Sequence, residues 1–159
     1  MIIIGYQGVG KSTLSANSLK YIDLESGCFW ADGTRPDDWY KYYCQIAEHL
    51  SNQGYIVFVS SHDVVRKWFI NTSAVLNINK VIVAYPSLAL KDAWIKKLQT
   101  RYECSKLDKD YKAWMNAVDR YEENIKEISD DGDKLSGKLE LTSIDYDLES
   151  EIMSILSRF

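Results

Sequence analysis

The chain has 159 residues, 46% hydrophobic and 26% charged, and a formal net charge of −4. That is one globular domain's worth of sequence, able to bury roughly two-thirds of its unfolded surface. The acidic balance excludes a nucleic-acid polymer as the main partner, because no basic excess exists to displace counterions. Cys28, Cys44 and Cys104 are odd in number and widely spaced, which excludes a disulfide framework and a zinc site and reads as a reducing compartment.

In chain order, Ile2-Ile3-Ile4 ending in Gly5 predicts a short buried parallel strand. Next comes Gly5-Tyr6-Gln7-Gly8-Val9-Gly10-Lys11-Ser12, which fits GxxxxGK[ST] at every position, and a helix is predicted from Lys11 to about Asn17 or Leu19. Lys20 to Leu24, with Asp23 near its end, predicts a second strand, and Gly27 to Arg35 a loop. Pro36 with Asp37-Asp38 predicts the start of a helix carrying Trp39, Tyr43, Ile46, Ala47 and Leu50 and stopping at Asn52-Gln53-Gly54.

Tyr55 to Val59 is the clearest strand, with Ser60-Ser61-His62 at its C-terminal edge and Asp63 placed to cap a helix through Val65 and Phe69. Val81 to Ala84 predicts another strand, turned by Tyr85-Pro86-Ser87 into a helix with Leu90, Trp94 and Leu98 on one face. Tyr111, Trp114, Val118, Tyr121, Ile125 and Ile128 form the seam of a long amphipathic helix expected to pack on the body of the same chain. Asp130 to Asp133 reads as a turn, Lys138 to Leu141 as a last strand, and Tyr146 to Leu156 as a closing helix. The longest apolar runs are too short to span a bilayer, and Met1 to Ile4 has no signal-peptide character; a cytoplasmic protein with no membrane partner is expected.

The glycine-rich segment has a mechanism at each position. Glycines admit backbone angles that let successive amides point inward at phosphate oxygens. Lys11 reaches the β- and γ-phosphates, Ser12 offers a hydroxyl to Mg²⁺, and the helix that follows directs its positive end at the same anion. A chance match in a chain of this length is on the order of one in a hundred, before the flanking strand and helix are required. Gly5, Gly8, Val9, Gly10, Lys11, Ser12 and Thr13 are therefore assigned to a nucleoside triphosphate, with ATP and Mg²⁺ as the expected cofactors. A guanine-reading NKxD motif is absent, since Asn79-Lys80 is followed by Val81-Ile82. The two strongest strands end in Ser60-Ser61-His62 and Tyr85-Pro86 in place of the Asp or Asp-Glu of a motor ATPase.

The chain resembles the nucleoside monophosphate kinases and their small-molecule relatives, the shikimate and gluconate kinases. Beyond the P-loop, the resemblance is most specific over Val81 to Arg101, where Tyr85-Pro86-Ser87, Leu88, Leu90 and Ile95-Lys96-Lys97-Leu98-Gln99-Thr100-Arg101 look like that family's V-P-x-E-L-x-x-x-R-L-x-x-R lid entrance. It implies a three-layer α/β/α fold with a central parallel sheet of about five strands, an acceptor-binding segment near residues 26–54 and a helical lid near 101–137. It also implies that Arg101 meets the transferring phosphates, with Arg120 as a second lid arginine. Asp23, with Glu25 beside it, resembles the acidic pair after the second strand of shikimate-type kinases, serving metal or acceptor. Arg35, His62 and Arg66 fall where the family places acceptor-binding groups, while the adenylate-kinase DGFPR string is replaced by Val57 to His62. Lys106 and Lys109 are weaker lid candidates, and Trp30, Trp39 and Tyr40 either line the acceptor pocket or pack.

Three readings stay open. The leading one is ATP-dependent phosphorylation of a nucleoside or deoxynucleoside monophosphate by a monomer or homodimer, with Lys11, Asp23, Arg101 and Arg120 as its catalytic groups. The second is a small-molecule kinase of the shikimate or gluconate type. The third is a regulatory nucleotide-binding ATPase that self-associates through the Tyr111–Ile128 seam.

Overall fold

The computed structural model describes residues 1–76 and 80–158, so Asn79 lies outside the described residues. Its centre is a sheet of five parallel strands in the order β2-β3-β1-β4-β5: β1 (Ile2–Gly5), β2 (Tyr21–Asp23), β3 (Ile56–Ser60), β4 (Val81–Pro86) and β5 (Gly137–Leu141). Six helices connect and cover them: α1 (Lys11–Asn17), α2 (Trp39–Asn52), α3 (Asp63–Leu76), α4 (Lys91–Ser105), α5 (Asp108–Gly132) and α6 (Leu148–Leu156). This is the three-layer α/β/α architecture expected of alternating strands and helices.

The strand order explains the composition of the strands. β1 lies between β3 and β4, so both its faces are covered and Ile2, Ile3 and Ile4 are fully buried; each isoleucine contributes about 1.5–3 kcal/mol by leaving water. The order also locates the functional end of the sheet. The chain leaves β1 toward β2 but leaves β3 toward β4, so the two connections part company between neighbouring strands. A crevice opens outside the strand ends at such a switch point, and the paired residues at its mouth are Gly5 and Ser60.

Several boundaries depart from the sequence reading. α2 begins at Trp39, because Pro36 to Asp38 form a turn in which the Trp39 amide donates to the Pro36 carbonyl at 3.1 Å. The turn expected at 130–133 is helix as far as Gly132. Gly132 sits so close to β4 that a Cβ there would meet Val83 Cγ2 at 2.5 Å, so its role is close helix–sheet approach. The long seam holds only in part, and α5 carries a kink at Arg120, with φ −135° and ψ 23°. Tyr121, Ile125 and Ile128 are buried after this kink, whereas Tyr111 and Val118 before it are exposed, and Asp110 and Ala117 are buried in their place.

Candidate functional site

Gly8 (φ 86°) and Gly10 (φ 95°) take left-handed backbone angles, which residues with a Cβ adopt only with strain. Gly10 is the N-cap of α1 and no side chain caps the helix, so its first amides remain open toward the cleft. The loop is held from both sides by hydrogen bonds to its own backbone and to Gln7. Trp94 Nε1 of α4 donates to the Gln7 carbonyl at 2.9 Å, the Tyr146 hydroxyl donates to the Gly8 carbonyl at 3.3 Å, and Gln7 Nε2 donates to the Ala113 carbonyl of α5 at 2.7 Å.

Lys11 is tethered at 2.7 Å to the Gly5 carbonyl. Burial lowers its ammonium pKa, opposed by the charges of Asp23 and Glu25. Ser12 Oγ donates to Asp23 Oδ2 at 2.6 Å, joining the metal-ligand candidates of the P-loop and β2. Around this pair opens a cleft of about 930 Å³, running from Asp23 and Ser60 across the P-loop to Lys97, Arg101 and Tyr146, a volume suited to a nucleotide-sized ligand.

Arg101 borders the cleft from the last turns of α4 and donates to the buried carboxylate of Asp110 at the start of α5. Burial would raise the Asp110 pKa, but hydrogen bonds from Ser105 (2.5 Å) and Arg101 outweigh it and hold the group below its ordinary value. Lys97 lies over the stacked rings of Trp94 and Tyr146, 4.4 and 4.8 Å from their centroids, and donates to the Tyr146 hydroxyl at 3.1 Å. Burial lowers the Lys97 pKa and pushes the Tyr146 phenol up to about 12.

Beyond Asp23 lies an aromatic corner. The Arg35 guanidinium stands 3.7 Å from the Trp39 ring centroid and 5.0 Å from that of Trp30, and it has no carboxylate partner among the described residues. His62 meets Trp39 edge-on at 5.6 Å. Burial, then the charges of Arg35, Lys11 and Arg66, lower its pKa, so the imidazole is neutral near pH 7 and can both donate and accept.

Of the sequence candidates, Arg35 and His62 stand in this corner outside the residues that line the cleft, and Arg66 and Arg120 lie farther off. Arg66 is buried and spends its donors on Asp131 (2.7 Å), Glu127 (3.2 Å) and the Ser61 carbonyl (2.5 Å). Arg120 pairs with Glu123 at 2.8 Å, and with Arg66 it lines a separate, charged depression between α3 and α5. Neither borders the cleft. Against the expectation that Arg66 grips the acceptor and Arg120 serves as a second lid arginine, Arg66 fastens α3 to α5 and Arg120 stands at the kink, paired with Glu123. Conversely, Asp110, Lys97 and Tyr146 were missed. Asp110 and Tyr146 carry no local motif, and Lys97 sat unremarked within the lid-entrance run.

Among the described residues no cluster of three or more acidic, His or Cys side chains could hold a metal ion, and no helix is long and apolar enough to cross a membrane. No family model matches the chain, and no curated protein sequence does. Fold and site together define a P-loop kinase fold. Among solved structures, the chain is similar to shikimate kinase from Bacteroides thetaiotaomicron, with a TM-score of 0.62 over 99% of this chain and 96% of that one, at 12% identity. Dephospho-CoA kinase from Campylobacter jejuni aligns over 99% and 94% at 15% identity, with a TM-score of 0.43 that leaves the fold undecided.

Proposed function

We propose that this chain transfers the γ-phosphoryl group of Mg·ATP to a hydroxyl of a small acceptor that carries one anionic group. The observation that supports this reading most is the gathering of Lys11, the Ser12–Asp23 pair and Arg101 around one cleft. Phosphoryl transfer needs positioning and cations more than a protein nucleophile, and these groups provide both.

The residues fit the expected cofactors. The open α1 amides, the left-handed glycines and Lys11 suit a triphosphate. Ser12 and Asp23 suit Mg²⁺, which keeps most of its waters and takes only one or two protein oxygens. Once bound, the ion would neutralise charge on the phosphate oxygens. In the same reading, Lys11 holds the transferring group, Arg101 offsets its developing charge, and Asp23 orients the acceptor hydroxyl and takes its proton. The closing movement of the 101–137 segment is assigned to the corner that carries Arg101 and Asp110, because α5 beyond its kink is anchored in the core by Tyr121, Ile125 and Ile128.

The 26–54 segment is assigned to the acceptor. Its one arginine is Arg35, clamped on two indoles and so oriented for bidentate recognition of a carboxylate. With Arg66 and Arg120 engaged elsewhere, a phosphate dianion would find one arginine here. A nucleoside monophosphate is the second reading, favoured by the exposed ring of Trp30, on which a base could stack.

A coupled ADP-release assay with Mg·ATP decides between these readings, run against small hydroxy acids and against ribo- and deoxynucleoside monophosphates. Stimulation by a hydroxy acid is the expected result. Stimulation by nucleotides alone replaces the first reading by the second. A flat panel with ATP still bound would sink both and leave a regulatory ATPase.

A further inference from the structure

The β2–β3 ladder stops one hydrogen bond early. The Ile56 amide donates to the Lys20 carbonyl at 3.0 Å and the Leu24 amide to the Phe58 carbonyl at 3.0 Å. In the register that pairs Asp23 with Phe58, a parallel ladder continues from the Ser60 amide to the Leu24 carbonyl. That bond is not made. A hydroxyl stands in its place: Tyr43, fully buried on α2, donates to the Leu24 carbonyl at 2.6 Å and accepts from the Ser60 amide at 2.8 Å.

Both backbone groups are satisfied, so the insertion leaves no orphan on the main chain. The strands are held apart by the width of an oxygen at the point where the sheet meets the cleft. Phe29 and Trp39 pack against the Tyr43 ring at 6.0 and 5.4 Å between centroids, which fixes the wedge in place. Burial raises the phenol pKa, so the hydroxyl keeps its proton and both its bonds across the working pH range.

A second observation marks the gap as a seat for a ligand. Ser60 Oγ is buried and makes no hydrogen bond of good geometry, lying beside the Tyr43 hydroxyl, although Ser60 and Asp23 both border the cleft. An unmade bond of this kind carries a desolvation cost that a bound polar group removes. Ser60 can both donate and accept, whereas an ionised Asp23 only accepts.

We propose that Tyr43 is a positioning residue whose hydroxyl wedges the ends of β2 and β3 apart, and that Ser60 Oγ, buried beside the crevice so made, turns into it to bind the acceptor hydroxyl beside Asp23. The proposal rests on the kinase reading for the identity of the ligand. The wedge itself is tested without it.

The test compares Tyr43→Phe and Ser60→Ala in the full chain by crystal structure, thermal denaturation, Mg·ATP titration and transfer to whichever panel acceptor the wild type uses. In Tyr43→Phe the ladder is expected to close, bringing the Ser60 amide onto the Leu24 carbonyl, with kcat lowered and Mg·ATP affinity within about twofold of wild type. Ser60→Ala removes a buried polar atom that makes no hydrogen bond of good geometry, so it should melt at or above wild type while the acceptor KM rises about threefold to tenfold. Stability and acceptor binding moving in opposite directions is a signature no purely structural role for Ser60 gives. A Tyr43→Phe structure that keeps the strands apart would overturn the wedge, and an unchanged acceptor KM in Ser60→Ala would overturn the seat. If the wild type transfers to nothing on the panel, the kinase reading and the acceptor seat fail together, while the Tyr43→Phe structure still decides the wedge.

Discussion

In the reading proposed above, the donor end of the cleft and the acceptor corner beyond Asp23 are built by opposite means. At the donor end a consecutive run, Gly5 to Ser12, places its own backbone amides and Lys11, and neighbouring helices only hold that run still through Trp94, Gln7 and Tyr146. At the acceptor end hardly any two neighbours in space are neighbours in sequence. Trp39 and Tyr43, one helical turn apart on α2, gather Arg35, His62, Leu24 and Ser60 from three other segments. On that reading triphosphate binding would be specified by local backbone geometry, and acceptor recognition by packing that can change without disturbing the P-loop.

The sharpest way to break this comparison is at Lys11. Lys11→Met should lower transfer by about 10²- to 10³-fold while a melting curve stays close to wild type; a large loss of stability would mean that Lys11 is mainly a structural tether to Gly5. Arg66→Ala should do the reverse. Removing the buried member of a network with Asp131, Glu127 and Asp63 leaves uncompensated charge and costs about 3 kcal/mol in denaturant titration, with turnover per folded molecule unchanged. A strong loss of turnover would return Arg66 to the acceptor site.

Arg101→Ala should lower kcat by about tenfold to a hundredfold with little change in Mg·ATP affinity, since Arg101 reaches the cleft from a corner outside the P-loop. Gly132→Ala touches neither end and should cost about 1–3 kcal/mol through overpacking against Val83, read as a lower Tm with kinetics intact.

The smallest effect expected is in acid. Hydrogen bonds outweigh burial at Asp110 and Asp131, so both carboxyls titrate below their ordinary value in the folded chain. Their stabilisation is complete above about pH 4 and is lost as the pH falls through the lowered values. Denaturation midpoints measured from pH 5 to pH 3 should fall, and Asp131→Asn should flatten that fall.

The same contrast explains what the sequence revealed. The strands and their parallel order follow from β-branched runs separated by helical periodicity, and the P-loop from its spacing. The first half of the α5 seam does not follow from spacing, because Asp110 and Ala117 are buried where Tyr111 and Val118 were the apolar candidates, and Asp110 is held inside by Arg101 and Ser105. Arg66 and Arg120 looked like phosphate-binding groups because position in a strand–helix layout carries no information about which carboxylates lie opposite. Tyr43 was legible only as one apolar position on α2, since the carbonyl and amide it joins belong to Leu24 and Ser60.

The most direct measurement is a ³¹P NMR time course of the full chain with Mg·ATP and the hydroxy-acid panel, with Lys11→Met as control. The account predicts a new phosphate monoester resonance growing as ATP falls, dependent on one acceptor and lost in the control. Growth of inorganic phosphate alone, at a rate no acceptor changes, would contradict it.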